Sequence, residues 1–136
     1  QGAVLRDKLP HLHRWTDARR KVANYYDAQL AGVGDIVTPA VADGRDHVYH
    51  LYVIRTARRD ALKKHLAEQE IETVLNYPKA LPFYPAYNHL GHKPEDFPHA
   101  FSHQQTILSL PIFPEITDAQ MRHVVDTIRS FFQQGL

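Results

Sequence analysis

Histidine is the one chemically versatile side chain that this sequence supplies in quantity, with ten among 136 residues and no cysteine beside them. Eight of them fall in pairs, at His11/His13, His47/His50, His89/His92 and His99/His103. The last pair, four positions apart in a stretch that reads as helix, has the spacing two imidazoles need to meet one ion. No His-Glu-x-x-His pattern and no carboxylate cluster completes a ligand set, so no metal is expected. His47 and His50 stand three apart in a run that reads as strand. They therefore point to opposite faces and cannot share an ion, which leaves one of them as a buried, hydrogen-bonded core residue. Ser102, Ser109 and Ser130 lie outside any Gly-x-Ser-x-Gly elbow, and Gly32-Val33-Gly34 lacks the rest of a dinucleotide or nucleotide fingerprint. These residues assemble no complete catalytic constellation, and no catalytic, cofactor-binding or metal-binding residue is assigned.

What remains is Asn76-Tyr77-Pro78, where a carboxamide and a phenol leave the end of an expected strand beside a proline that fixes the turn. Asn76 and Tyr77 are the candidate substrate-binding residues, because both side chains can hydrogen-bond a polyhydroxylated ligand. The other possibility is that they only close the turn and pack. They open a loop over 76–98 whose first half carries Pro78, Pro82 and Pro85 with Tyr77, Tyr84 and Tyr87. Long ordered loops of this kind in compact domains are usually functional.

Several elements must position that loop. The clearest is 47–55, His-Val-Tyr-His-Leu-Tyr-Val-Ile-Arg, whose β-branched and aromatic residues predict a central strand with at least one buried face. Leu5, Leu9, Leu12, Trp15, Arg19, Val22, Tyr26 and Leu30 recur at helical spacing and predict a long amphipathic helix ending near Gly32 and Gly34. Pro10 either kinks it or starts a second helix after a short first one. Its other face, with Arg14, Arg19, Arg20 and Lys21, reads as solvated. Residues 35–42 suit an edge strand or an extended connection around Pro39. A helix over 60–70 buries Leu62, Leu66 and Ile71, and 71–75 reads as a second strand, in either a βαβ crossover or an antiparallel pair with an intervening helix. A third helix is predicted over 97–108. Thr117 and Gln120 form a capping box ahead of a last helix that buries Met121, Val124, Val125, Ile128 and Phe132.

Composition narrows the classes of function. With 43% hydrophobic and 23% charged residues the chain suits one globular core, and a net charge of +1 marks it for neither nucleic acid nor a membrane surface. It holds no apolar run of the roughly 20 residues a membrane helix needs, and the lack of cysteine permits a cytoplasmic location. The only methionine is Met121, and Gln1-Gly2-Ala3-Val4-Leu5 already reads as the inside of a helix, so an upstream segment is expected.

Taken in order, Gln1-Gly-Ala-Val-Leu-Arg-Asp-Lys-Leu9, Trp15 with Arg19, His47-Val-Tyr-His-Leu-Tyr52, Asn76-Tyr-Pro78, Pro85-Ala-Tyr87, Leu108-Ser-Leu-Pro-Ile-Phe-Pro-Glu115 and Thr117-Asp-Ala-Gln120 resemble the C-terminal part of the DegT/DnrJ/EryC1/StrS sugar aminotransferases. The resemblance runs over essentially the whole chain. It implies an α+β small domain of the fold type I pyridoxal-phosphate enzymes, with a small, mainly antiparallel sheet and flanking helices. Residues 1–32 would link this domain, 33–136, to a large cofactor-binding domain absent from this chain. The resemblance also implies a homodimer that uses pyridoxal 5'-phosphate to move an amino group, usually from glutamate, onto a keto sugar carried by a nucleotide. The Schiff-base lysine of such enzymes lies in the large domain; Lys8, Lys21, Lys63, Lys64, Lys79 and Lys93 do not match its motif, so this chain alone is expected to be inactive. The family's Gly-x-Asn-x-Arg stretch would stand just upstream of Gln1. Where the family commonly shows His-Tyr-Pro near the sugar, this chain has Asn76-Tyr77-Pro78, which keeps hydrogen bonding and loses a group that titrates near neutral pH. The alternative is a stand-alone binding or dimerisation module that retains the small-domain fold.

Overall fold

Pro10 decides how the chain begins. It lacks an N–H and its ring clashes with the carbonyl four residues back, so in the computed structural model, which describes residues 1–134, the opening helix is divided. Helix α1 (Gly2–Lys8) passes through a 3-10 turn at Leu9–His11 into helix α2 (Leu12–Leu30). A short helix therefore hands over to a second, which starts at Leu12 rather than at Pro10. Val22, Ala23, Tyr26 and Leu30 form the buried stripe of α2, whereas Leu5, Leu9 and Leu12, on the same expected apolar face, are exposed.

The sheet is smaller than the sequence suggests. Strand β1 (Tyr52–Arg55) pairs antiparallel with strand β2 (Ile107–Leu110), with Tyr52 opposite Leu110 and Arg55 opposite Ile107. Single bridges extend it on both sides, Val37 against Arg55 and Val74 against Ser109. The stretch 47–51 is not strand: Tyr49 adopts φ +48° and its N–H donates to Nδ1 of His47 at 2.8 Å. A local side-chain bond thus replaces the ladder bond there. Nor is 71–75 a strand. Glu70, at φ +59°, closes helix α3 (Arg59–Glu68), with Ile71 N–H donating to Leu66 O at 2.9 Å and Glu70 N–H to Ala67 O at 3.1 Å. This is the paired-bond helix ending that glycine usually makes, and only Val74 beyond it reaches the sheet. The third helix, α4 (Pro98–Thr106), stops short of the predicted end because Ile107-Leu-Ser-Leu110 is β2. Arg59 Nη1 marks that change of direction by donating to both Gln104 O and Ile107 O at 3.3 Å.

One face of the sheet is closed. Tyr52 and Ile54 on β1, with Leu108 and Leu110 on β2, pack with α2, α3 and helix α5 (Asp118–Gln133). The capping box of α5 forms as expected: Gln120 N–H donates to Thr117 Oγ1 at 3.2 Å and Thr117 N–H to Gln120 Oε1 at 2.9 Å. Met121, Val124, Val125 and Ile128 are buried, and Phe132 is partly so. Arg129 Nη2 satisfies the last-turn carbonyl of Gln29 at 2.8 Å, tying the far ends of α2 and α5 together. Among the described residues no helix is long and apolar enough to cross a membrane.

Two tyrosines stitch α2 to the sheet. Their rings lie 5.1 Å apart, Tyr26 Oη donates to Pro111 O at 2.9 Å, and Tyr52 Oη donates to Asp27 Oδ1 at 2.6 Å. Burial pushes both phenols above their ordinary range, and for Tyr52 the hydrogen bond to Asp27 and that carboxylate's charge add to it. The folded state therefore holds these protons where the unfolded chain releases them, above about pH 10. Stability is thus expected to stay level below that pH and to fall above it. Urea unfolding followed across the alkaline range, with phenolate absorbance, checks this. Tyr52→Phe is expected to cost about 1–3 kcal/mol at neutral pH by stranding Asp27, and to flatten the alkaline slope.

Candidate functional site

Alternation along the two strands sets the composition of the other face. With Tyr52, Ile54, Leu108 and Leu110 turned to the core, Val53 and Arg55 on β1 and Ser109 on β2 take the opposite side. Val74, bridged to Ser109 by bonds of 2.9 and 3.3 Å, shares that side, as does Asn76 two residues on. The predicted loop residues therefore sit at the edge of a sheet face that α2, α3 and α5 do not cover. The Asn76–Tyr77 peptide bond is cis. Asn76 is half-buried and its Oδ1 accepts from Ser109 Oγ at 3.0 Å, whereas the Tyr77 ring stands 71% exposed, with no hydrogen bond to another described residue. Asn76 and Tyr77 thus lie side by side, one anchored and one free.

The loop beyond them is held down at three places. Ala80 N–H donates to Gln104 Oε1 at 2.8 Å, bringing the loop to α4. Phe83 meets Phe101 edge to face at 5.4 Å, and His92 meets Phe97 edge to face at 5.0 Å. Three 3-10 turns, Leu81–Phe83, Pro85–Leu90 and Pro94–Asp96, each with proline in the first turn, carry the chain between these anchors. Leu81, Pro82, Tyr87, Leu90 and His92 line an open hollow of about 220 Å³. Proline-fixed φ and aromatic packing therefore order a segment that contains no α-helix or strand before Pro98.

The histidine pairs do other work than the sequence suggests. His47 and His50 are both exposed, so neither is the expected core histidine; the His47 ring packs at a tilt against Tyr49, centroids 4.3 Å apart, and accepts its N–H. His99 and His103 keep their helical spacing, with ring centroids 6.4 Å apart, but His103 Nε2 faces Arg55 Nη1 at 3.2 Å. A guanidinium in that position opposes a cation. Among the described residues no three histidines or carboxylates come together in a way that could hold a metal. All six lysines are exposed.

Ser109, which stands in no nucleophile elbow, is the anchor of Asn76. The available signal was a single polar residue inside the apolar run Ile-Leu-Ser-Leu. Arg55 and Gln104, which hold α4 and the loop, carry no such signal. Burial, the Arg55 charge and the His99 ring together hold His103 below its ordinary value. Its contribution to stability is therefore present above about pH 6.5 and is lost as pH falls below that, where the unfolded chain takes up the proton first. NMR titration is expected to place the His103 midpoint below about 6.5. Arg55→Met should move that midpoint upward.

Comparison with known proteins bears on the family and the fold. The sequence model of the DegT/DnrJ/EryC1/StrS aminotransferase family matches residues 1–129. The chain is 44% identical over 135 residues to a pleiotropic regulatory protein of Geobacillus stearothermophilus, covering 98% of this chain and 36% of that one. It is 38% identical to a dTDP-3-amino-3,4,6-trideoxy-alpha-D-glucose transaminase of Streptomyces venezuelae, covering 98% of this chain and 35% of that one. Among solved structures, S. venezuelae DesV in complex with a ketimine intermediate superposes with a TM-score of 0.94 at 38% identity, over 98% of this chain and 36% of its own. A DegT DnrJ EryC1 StrS aminotransferase from Brucella abortus superposes at 0.89 with 32% identity, over 97% of this chain and 35% of that one. The chain thus spans just over a third of the length of the relatives it matches, and nearly all of it lies within the match: it belongs to the DegT/DnrJ/EryC1/StrS aminotransferase family.

Proposed function

We propose that residues 1–136 form the small-domain part of a pyridoxal-phosphate aminotransferase acting on a nucleotide-linked keto sugar, with glutamate as amino donor. The observation that carries this reading is the 0.94 superposition on an S. venezuelae enzyme captured with a reaction intermediate, at 38% identity across nearly the whole chain. Relatives that act on dTDP-linked and UDP-linked amino sugars favour the same substrate class. The residues here do not themselves fit the cofactor: every lysine is exposed, and none stands in an enclosed pocket where an amine could hold an aldehyde. No step of the reaction is therefore assigned to this chain through the cofactor. Its part is to supply a wall of the site, with Asn76 and Tyr77 presented at the open sheet face as the sugar contacts.

In this reading residues 1–32 link the domain to a large cofactor-binding domain, and the whole enzyme works as a cytoplasmic homodimer. The exposed row of Val4, Leu5, Leu9 and Leu12 along α1 and the start of α2, 49–66% accessible, supports that role, because an apolar helix face of this length calls for a cover. By itself the chain is expected to self-associate through that row. Light scattering across dilution, with Leu5→Glu and Leu9→Glu as the dispersing pair, checks this; a monodisperse unaltered monomer contradicts it.

The function is tested on the full-length protein with dTDP-3-amino-3,4,6-trideoxy-α-D-glucose, dTDP-3-amino-3,6-dideoxy-α-D-galactopyranose and a UDP-linked 3-amino sugar, each with 2-oxoglutarate. Pyridoxal-phosphate-dependent formation of glutamate is expected from at least one of them, and from none with residues 1–136 alone. Pyridoxal phosphate added to this chain should likewise give no stable lysine-bound chromophore. A site-specific band lost on changing one of the six lysines would overturn the assignment of this chain as a non-catalytic part.

A further inference from the structure

Ser109 stands out among the described residues as a hydroxyl in the middle of a four-residue strand whose other members are aliphatic. It is only 5% exposed. Its backbone is fully occupied, since it pairs with Val53 across the β1–β2 ladder and exchanges both hydrogen bonds with Val74 on its other side. The side chain is thus held in place from two directions. A buried hydroxyl carries one proton and must place it on an acceptor or lose a hydrogen bond. Among the described residues the partner of Ser109 Oγ is Asn76 Oδ1, at 3.0 Å.

That contact fixes more than a distance. The carboxamide of an asparagine offers an accepting oxygen at one end and two donating N–H bonds at the other, and which end faces which way is decided by its hydrogen-bond network. If the amide were turned over, its nitrogen would donate to Ser109 Oγ and the serine proton would have no acceptor in a closed site. The serine therefore commits the oxygen inward and leaves the amino group toward the open sheet face, beside the exposed Tyr77. We propose that Ser109 is a positioning residue that makes position 76 a pure hydrogen-bond donor toward the substrate. The substrate atom it meets is then an oxygen that accepts, in the sugar or in the diphosphate, and not a hydroxyl acting as donor. A histidine at 76 could present either a donor or an acceptor according to its tautomer, so the Ser109–Asn76 pair narrows what the site takes.

The inference rests on Asn76 facing the substrate, as proposed above, and the test separates the two. In the full-length enzyme, using whichever dTDP- or UDP-linked amino sugar of the panel is turned over, Asn76→Ala is expected to raise the KM for that sugar about tenfold, the scale of one lost hydrogen bond. The kcat and the KM for 2-oxoglutarate should stay near their original values. Asn76→Asp, equal in shape but without a donor, should do at least as much damage. Ser109→Ala should raise the same KM about threefold through the freed carboxamide, Ser109→Thr should restore it, and Ser109→Ala should add nothing in the Asn76→Ala background. Inhibition by the free nucleoside diphosphate locates the oxygen: a constant unchanged in Asn76→Ala places it on the sugar, and a raised one on the diphosphate. If Ser109→Ala leaves the KM unchanged, or adds the same factor in the Asn76→Ala background, positioning is overturned while Asn76 stands as a contact. If Asn76→Ala itself changes nothing, or no sugar of the panel is turned over, the substrate reading falls and the proposal with it.

Discussion

The register between Tyr52–Arg55 and Ile107–Leu110 is the constraint on which the rest of this domain depends. Four residue pairs define it, with Tyr52 opposite Leu110 and Ile54 opposite Leu108. A slip of one residue would turn Leu108 and Leu110 outward and bring Ser109 into the packing of α2, α3 and α5. Burying its hydroxyl there without a partner would cost about 1–3 kcal/mol, on top of the aliphatic burial lost. The register therefore separates an apolar face packed on α2, α3 and α5 from the face that carries Arg55 and Ser109, and the loop after Val74 is attached to the latter.

A sheet of two short strands is marginal without support, and its support is side-chain chemistry more than additional strands. The bridges at Val37 and Val74 add one residue pair each. Tyr52 does more: its ring packs at a tilt against Tyr26, and its hydroxyl reaches Asp27 on α2. Tyr26 reaches across to Pro111, immediately after β2. Two phenols thus join the long helix to both strands. Arg59 acts similarly at the other end, where its guanidinium holds the carbonyls of Gln104 and Ile107 and so fixes the point at which α4 becomes β2.

Much of this was legible from residue periodicity, and the failures share one physical cause. Helix positions on α2, α3 and α5 and the Thr117 cap follow from apolar spacing and capping chemistry, which are local. Periodicity leaves the strand pairing open between a crossover and an antiparallel pair, and only the family resemblance implies an antiparallel sheet. The strand limits do not follow from spacing either. His47-Val-Tyr-His-Leu has the composition of a strand, but it folds otherwise because the His47 ring offers the Tyr49 N–H an acceptor that composition does not reveal. Residues 71–75 are as apolar as a strand should be, yet their first residues complete the ending of α3, with Glu70 where glycine is usual. Ile107-Leu-Ser-Leu reads as the tail of a helix until its long-range partner on β1 is known. In each case hydrogen bonding that composition does not reveal, local at Tyr49 and Glu70 and long-range at Ile107–Leu110, overrode propensity.

The candidate site divides along the same line. Asn76 and Tyr77 could be picked out because an amide and a phenol beside a proline at a strand end are unusual neighbours for purely structural residues. What the sequence could not show is that the two have unlike freedom. Asn76 is tied to a serine thirty-three residues away, whereas the Tyr77 ring extends from the same turn into the open. In the proposed reading, a wall made of one anchored amide and one exposed phenol would orient a ligand through the first and contact it more openly through the second. The anchored side chain depends on the strand register, through Ser109, and the exposed one makes no such contact. Changes that loosen the β1–β2 ladder should therefore blur what position 76 accepts before they affect what Tyr77 touches.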